Sequence, residues 1–303
     1  IFLFIQLSQN LFRPLRQIAD KFNTLQMGMV AAERVFEILE KEESVDNNLL
    51  ELPDDFKANI CIENLNFSYE AGQQVLKDIN IKINAGEKVA LVGSTGSGKS
   101  TLVNLILLLY EYEKGEIKVD GIPINKLSKN SLRSQIANVS QDIFLFADSI
   151  FNNVTLFKPD ITLNEVKQAA NEIGIDKFIK KLPNGFNHII NEGGTILSSG
   201  QRQLVSFLRA YISNPKILIL DEATSSVDSF TEELIQVATD KIIKNKTSII
   251  IAHRLTTIKK VDKIIVLEGG KIVETGTHSE LIKIQQGKYK KLHELQFKGE
   301  KIV

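Results

Sequence analysis

The sequence predicts an α/β fold: a parallel sheet around a phosphate-binding loop, joined to a small antiparallel sheet and a helical part. Three stretches carry that prediction. Ile217-Leu218-Ile219-Leu220 and Ser248-Ile249-Ile250-Ile251-Ala252 are continuous apolar runs, the pattern of parallel strands covered on both faces. The third is Gly93-Ser94-Thr95-Gly96-Ser97-Gly98-Lys99-Ser100-Thr101, set between the apolar runs Val89-Ala90-Leu91-Val92 and Leu102 to Leu109. A strand, a glycine loop and a helix, in that order, are what a phosphate loop needs.

The chemistry follows from the residue types. Glycines let backbone N–H groups turn inward around a polyphosphate, and the helix N-terminus adds partial positive charge. Lys99 is then expected on the β- and γ-phosphates and the Ser100 hydroxyl on Mg²⁺. A glycine turn with a chance Lys-Ser would not need both flanks. The expectation is a nucleoside triphosphate site.

Before that loop, Leu11, Leu15, Ile18, Phe22, Leu25, Met29, Ala32, Phe36 and Leu39 recur at alternating steps of four and three. One face of a long helix therefore wants a partner, with Pro14 kinking it or marking its start. A self-associating coiled coil and the cytoplasmic extension of a membrane helix both fit that stripe. The opening Ile1-Phe2-Leu3-Phe4-Ile5 is far short of the about 20 apolar residues a full span needs. It reads as the end of an apolar helix rather than a signal peptide.

Lys41 to Asp55 is charged, Asn-rich and holds Pro53, which makes it a linker. The expected division is residues 1–52, a helix and linker, and residues 53–303, the globular domain. From Ala58 to Ile83 apolar and polar residues alternate, as in Ile79-Asn80-Ile81-Lys82-Ile83, predicting antiparallel strands up to the Ala85-Gly86 turn. Glu116 to Val119 returns as a strand closed by Asp120-Gly121. Residues of about 142–213 read as a helical subdomain, with a capping box at Thr162 and Glu165. Pro215 stops the helix carrying Leu204, Val205 and Leu208. Ser229 with Glu232 boxes another helix start, and Gly269-Gly270 turns a hairpin. The tail from Thr277 reads as a Lys-rich, solvated helix.

Composition narrows the partners. Lys plus Arg and Asp plus Glu both number 37 in 303 residues, so no net charge points to nucleic acid. The lone Cys61 excludes an internal disulfide, and no His or Cys pair has metal-ligand spacing. His188, His278 and His293 read as structural.

Two further stretches carry chemistry. Asp221, at the tip of the Ile217 run, can hold Mg²⁺ opposite the phosphate loop, and Glu222 beside it can polarise an attacking water. Leu197-Ser198-Ser199-Gly200-Gln201 opens a helix capped by Ser198, a second anion site. One monomer does not need two. The pattern makes sense if the second reaches the γ-phosphate held by another subunit.

At this point the chain resembles the ATP-binding cassette family. Leu-Ser-Ser-Gly-Gln is similar to that family's signature, although the family usually has Gly where Ser199 stands. Tyr69 lies where the family's adenine-stacking aromatic sits. Gln141, in Val139-Ser140-Gln141-Asp142, matches the glutamine loop that senses Mg²⁺ and connects to the transmembrane part. Ser225-Ser226-Val227-Asp228 is similar to the loop crossing the dimer, and His253 to the switch histidine at the γ-phosphate. The leading helix and Asn191-Glu192-Gly193-Gly194 resemble the exporter branch.

The resemblance implies a P-loop NTPase (RecA-like) core with an antiparallel β subdomain and a helical subdomain. It implies ATP hydrolysis coupled to export of a lipid, drug or peptide, by two cassettes closing head-to-tail around two Mg-ATP. Each ATP would meet Tyr69, residues 93–101, Gln141, Asp221, Glu222 and His253 of one chain. Ser198, Ser199, Gly200, Gln201 and Asp228 of the other would complete the site. Expected partners are an identical cassette and the protein's own transmembrane domain, at the cytoplasmic face of a bacterial inner membrane, with no nucleic acid. A regulatory cassette with weak hydrolysis, hinted at by Ser199, is the alternative.

Overall fold

The apolar stripe at the start of the chain forms one helix, α1 (Phe2–Leu39), in a computed structural model that describes residues 1–40, 49–53, 55–70, 72–112, 114–221, 228–252 and 255–297. Helix α1 runs through Pro14 instead of starting there. The carbonyl that loses its bond to the proline belongs to exposed Asn10, where water can replace it. No residue of α1 is buried, and Leu11, Leu15, Ile18, Phe22, Leu25 and Met29 are all more than half exposed. Among the described residues, no helix is long and apolar enough to cross a membrane. Residues 1–48 form one compact unit and residues 49–303 a second.

The second unit gives, in order, β1 (Ile60–Ser68), β2 (Gln74–Ile83), β3 (Lys88–Val92), α2 (Lys99–Ile106), β4 (Lys114–Val119) and β5 (Ile122–Pro123). Then come α3 (Lys129–Ser134), β6 (Ile136–Val139), α4 (Ile150–Thr155), α5 (Leu163–Ile173), α6 (Asp176–Ile179) and α7 (Ser199–Ile212). The rest is β7 (Ile217–Asp221), α8 (Ser229–Ile242), β8 (Thr247–Ile251), α9 (Leu255–Ile258), β9 (Lys263–Glu268), β10 (Lys271–Gly276), α10 (His278–Leu281) and α11 (Lys288–Phe297).

Strands β2-β1-β4-β5 make the antiparallel sheet, and β10-β9-β3-β8-β7-β6 the larger one. In the larger sheet β9, β3, β8, β7 and β6 run parallel, with β10 turned back antiparallel on β9. Successive side chains on a strand point to opposite faces. Ala90, Val92, Leu218, Leu220 and Ile250 therefore pack on one side, with Leu204, Val205 and Leu208 of α7. Val89, Leu91, Ile217, Ile219, Ile249 and Ile251 pack on the other, with α2 and the antiparallel sheet. Burial on both faces is why these strands read as unbroken apolar runs. Each fully buried aliphatic contributes about 1.5–3 kcal/mol of transfer free energy.

Several local expectations need correction. Helix α2 ends at Ile106 and not Leu109, because Leu108 takes a positive φ of 52°. Residues 142–149 are not helical; the chain stays irregular until Ser149 caps α4 by accepting from Asn152 N. Asp228, not Ser229, caps α8, accepting at 2.9 Å from Thr231 N and at 2.6 Å from Thr231 Oγ1. A carboxylate at that end also gains from the helix dipole. The tail is not wholly solvated: Tyr289 is 1% exposed, its hydroxyl 2.6 Å from His278 Nδ1. The boxes at Thr162 with Glu165 and at Ser198 with Gln201 form as expected.

Candidate nucleotide site

Strand β3 delivers Gly93 at the centre of the larger sheet. A Cβ there would lie 2.3 Å from Leu267 O and 2.6 Å from Ser97 Oγ, so only glycine lets the loop leave the strand. Gly98, the N-cap of α2, has φ 103°, in the left-handed region that excludes most side chains. Between them the loop curls around its own lysine. The buried Lys99 Nζ donates to Gly93 O at 2.8 Å, to Ser94 O at 3.0 Å and to Ser97 Oγ at 3.4 Å. Burial pushes the Lys99 pKa down, opposed by the nearby Asp221 carboxylate. Carbonyls alone do not neutralise an ammonium, and an anionic phosphate would. Ser94, Thr95, Gly96 and Ser100 are exposed around it, while Ser97 and Thr101 are buried.

Tyr69 stands beside this loop. Its hydroxyl bonds Thr101 Oγ1 at 3.1 Å, and its ring is 47% exposed, leaving a face open. Phe67 and Tyr110 meet it edge-on, both at 4.9 Å between centroids. Tyr110 was not among the sequence candidates. It follows an apolar run taken as continuous helix, and only the turn at Leu108 brings it onto Tyr69.

The remaining candidates fall into two groups. Asp221 ends β7, paired in register with Ile251 of β8, close enough to Lys99 to act on its charge. Exposed Gln141 and half-buried Ser199 line one cleft, with Asp142, Arg202 and Gln203. Ser198 Oγ accepts from Gln201 N at 3.2 Å, and Gln201 Oε1 from Ser198 N at 3.0 Å, which fixes the start of α7. Gly200 is buried beneath them. Glu222, residues 225–227 and His253 lie outside the described residues.

Residues 76–225 match the ABC transporter family. The chain is 42% identical over 301 residues to the "Probable multidrug resistance ABC transporter ATP-binding/permease protein YheH" of Bacillus subtilis, covering 99% of this chain and 44% of that protein. It is 44% identical over 283 residues to the ATP-dependent lipid A-core flippase of Pseudomonas syringae pv. tomato, covering 93% of this chain and 47% of the flippase. The chain belongs to the ABC transporter family.

Its fold agrees. A bacterial Atm1-family ABC exporter solved with ATP bound matches with a TM-score of 0.77 and 32% identity, over 95% of this chain and 50% of that one. The chain thus spans about half the length of the relatives it matches. As an ABC transporter domain it binds ATP. Among the described residues no group of three or more His, Cys, Asp or Glu could hold a metal unaided. Asp221 is close enough to Lys99 to act on its charge, and Ser100, next to Lys99 in the chain, is exposed.

Proposed function

We propose that this chain is the ATP-hydrolysing motor of an exporter, acting as a pair of identical cassettes around two ATP molecules. The observation that carries the reading is Lys99, a buried ammonium turned onto loop carbonyls, with Asp221 close enough to feel its charge. In this reading Lys99 and the N–H groups of residues 94–100 hold the β- and γ-phosphates, and Tyr69 stacks on the base. Ser100, Gln141 and Asp221 would hold Mg²⁺, which screens phosphate charge when bound. Glu222 accepts a proton from the attacking water as the γ-phosphoryl passes to that water and ADP leaves. His253 contacts the same γ-phosphate.

Ser198, Ser199, Gly200 and Gln201 of the second copy face that phosphate, with Asp228 at the crossing. ATP drives closure because the closed pair binds it better than the open pair does. Residues 1–52 would link the cassette 53–303 to a membrane part of the full-length protein, placing it at the cytoplasmic face of a membrane. The permease halves in the names of relatives support this. The exposed stripe of α1 fits packing on a neighbouring helix.

The test is Mg-ATP turnover against protein concentration, for the protein and for Glu222→Gln. Turnover that rises faster than linearly and vanishes in the variant supports the paired motor. Linear turnover that survives the substitution refutes it. Ser199 favours one other reading, a regulatory cassette that closes and hydrolyses slowly; full-length turnover indifferent to Glu222→Gln would favour that instead.

A further inference from the structure

Helix α7 starts at the signature serine and, further along, carries Arg209. The guanidinium is half-buried, and among the described residues no carboxylate pairs with it. A charge taken out of water without a counter-ion is costly, so its remaining partners matter. Arg209 Nε donates to Asn153 O at 2.9 Å, and the two terminal nitrogens reach Phe144 O at 3.4 and 3.5 Å. Burial pushes its pKa down.

Asn153 is fully buried and continues the network. Its Oδ1 accepts from Phe146 N at 2.8 Å, and its Nδ2 donates to Phe146 O and Ser149 O, both at 3.0 Å. Leu145 O accepts at 3.1 Å from Gly193 N, in the loop that leads into the signature. Three successive carbonyls of the segment after Gln141 are thus each held. Phe144 is held from α7, Leu145 from the loop before α7, and Phe146 from α4.

We infer that Arg209 is a positioning residue that ties the signature helix to the loop bearing Gln141, and so couples the two nucleotide sites of the pair. The inference rests on the paired reading above. There, Gln141 serves the chain's own ATP and Ser198 and Gly200 serve the partner's. Movement of α7 as the signature meets phosphate pulls on Phe144 O, and through it on the backbone leading back to Gln141. A planar guanidinium spans two carbonyls at once, whereas a lysine ammonium is a point donor. Packing alone would account for the buried methylenes of Arg209. It would not account for a charged head group aimed only at carbonyls.

Coupling between sites is a free energy, read as cooperativity. The test is steady-state turnover against Mg-ATP concentration for the protein, Arg209→Met and Arg209→Lys, with Glu222→Gln as control. ATP affinity without turnover and the thermal midpoint are measured on the same samples. The parent should be sigmoidal. Arg209→Met should be hyperbolic, with turnover down about tenfold and ATP affinity within about twofold, the size of a typical coupling. Arg209→Lys should fall between them. A hyperbolic parent, or a Met variant as cooperative as the parent, overturns the inference. So does a Met variant whose affinity and thermal midpoint fall together with turnover, since that marks a packing role. If Arg209→Met does not fold, Arg209→Lys decides, and full parental cooperativity in it overturns the coupling. A parent with no turnover, or turnover that survives Glu222→Gln, strikes the paired reading itself and takes this inference with it.

Discussion

The Tyr69 hydroxyl lies 3.1 Å from Thr101 Oγ1, so the aromatic residue before the phosphate loop is fastened to the helix after it. Phe67 and Tyr110 brace the ring, and in the proposed site this arrangement holds the base-stacking ring fixed against the phosphate loop. Base–aromatic stacking contributes about 1–3 kcal/mol, so Tyr69→Ala should weaken ATP binding by about five- to 150-fold. Tyr69→Phe keeps the ring and should stay within about fivefold of the parent, losing only a neutral hydrogen bond. Titration with a fluorescent ATP analogue measures both. Equal affinity in all three proteins would remove the ring from the site.

The glycines of the loop are not equivalent, and substitution should separate them. At Gly93 a Cβ would strike the Leu267 carbonyl, which belongs to the neighbouring strand and cannot move away cheaply. The same residue's carbonyl accepts from Lys99. Gly93→Ala should cost about 3 kcal/mol of stability, the upper end of the usual cost of overpacking, and abolish measurable ATP binding with it. Gly96 has φ 78° but open space around it. Gly96→Ala should cost only about 1–2 kcal/mol, from left-handed backbone strain. Urea midpoints for the two variants check the order, and a reversal would mean the loop leaves β3 by another path.

How much of this was legible beforehand depends on the range of the interaction. The alternation at Ile79 to Ile83 and the unbroken run Ile217 to Leu220 report burial directly, and both became the strands they suggest. The strand, loop and helix around Gly93 to Thr101 were legible because the glycines and the flanking apolar runs act locally. Arg209 and Asn153 were not. Each is a polar residue that looks solvated in sequence, yet Asn153 is buried and Arg209 half-buried because segments far apart in the chain meet at them. The cap at Asp228 was missed for a smaller reason. Ser229 with Glu232 also satisfies the box pattern, but Asp228 one residue earlier accepts from Thr231 N and Thr231 Oγ1 and so holds the cap.

Asp120 gives a prediction in pH. Burial opposes its ionisation, but bonds from Lys57 N at 2.5 Å, Ala58 N at 3.1 Å, Asn59 N at 2.8 Å and Asn59 Nδ2 at 2.7 Å outweigh it. The carboxyl is held below its ordinary pKa. A folded pKa below the unfolded one adds stability that is present above the unfolded value of about 3.9 and lost as pH falls through the folded value. Asp120→Asn turns an amide donor toward donors and should cost about 1–3 kcal/mol at neutral pH. The gap between parent and variant in urea unfolding should be constant above about pH 5 and should narrow below about pH 4. A gap that stays constant into acid would mean the carboxylate charge is not what those N–H groups use.

Ser199 carries the last prediction, in which stability and turnover move in opposite directions. It is the first residue of α7, half-buried, and shares a cleft with Gln141. Ser199→Gly adds backbone freedom at a helical position and should cost about 0.5–1 kcal/mol of stability. If phosphate from a second chain approaches these N–H groups, removing the Cβ eases that approach, and turnover should rise. The affinity of one chain for ATP should not change if, as proposed, Lys99 and Tyr69 set it. Ser199→Val adds bulk at the same place and should lower turnover with affinity again unchanged. Turnover and ATP affinity measured in parallel on both variants separate the effects. A Val variant that turns over like the parent would mean that no phosphate comes close to Ser199.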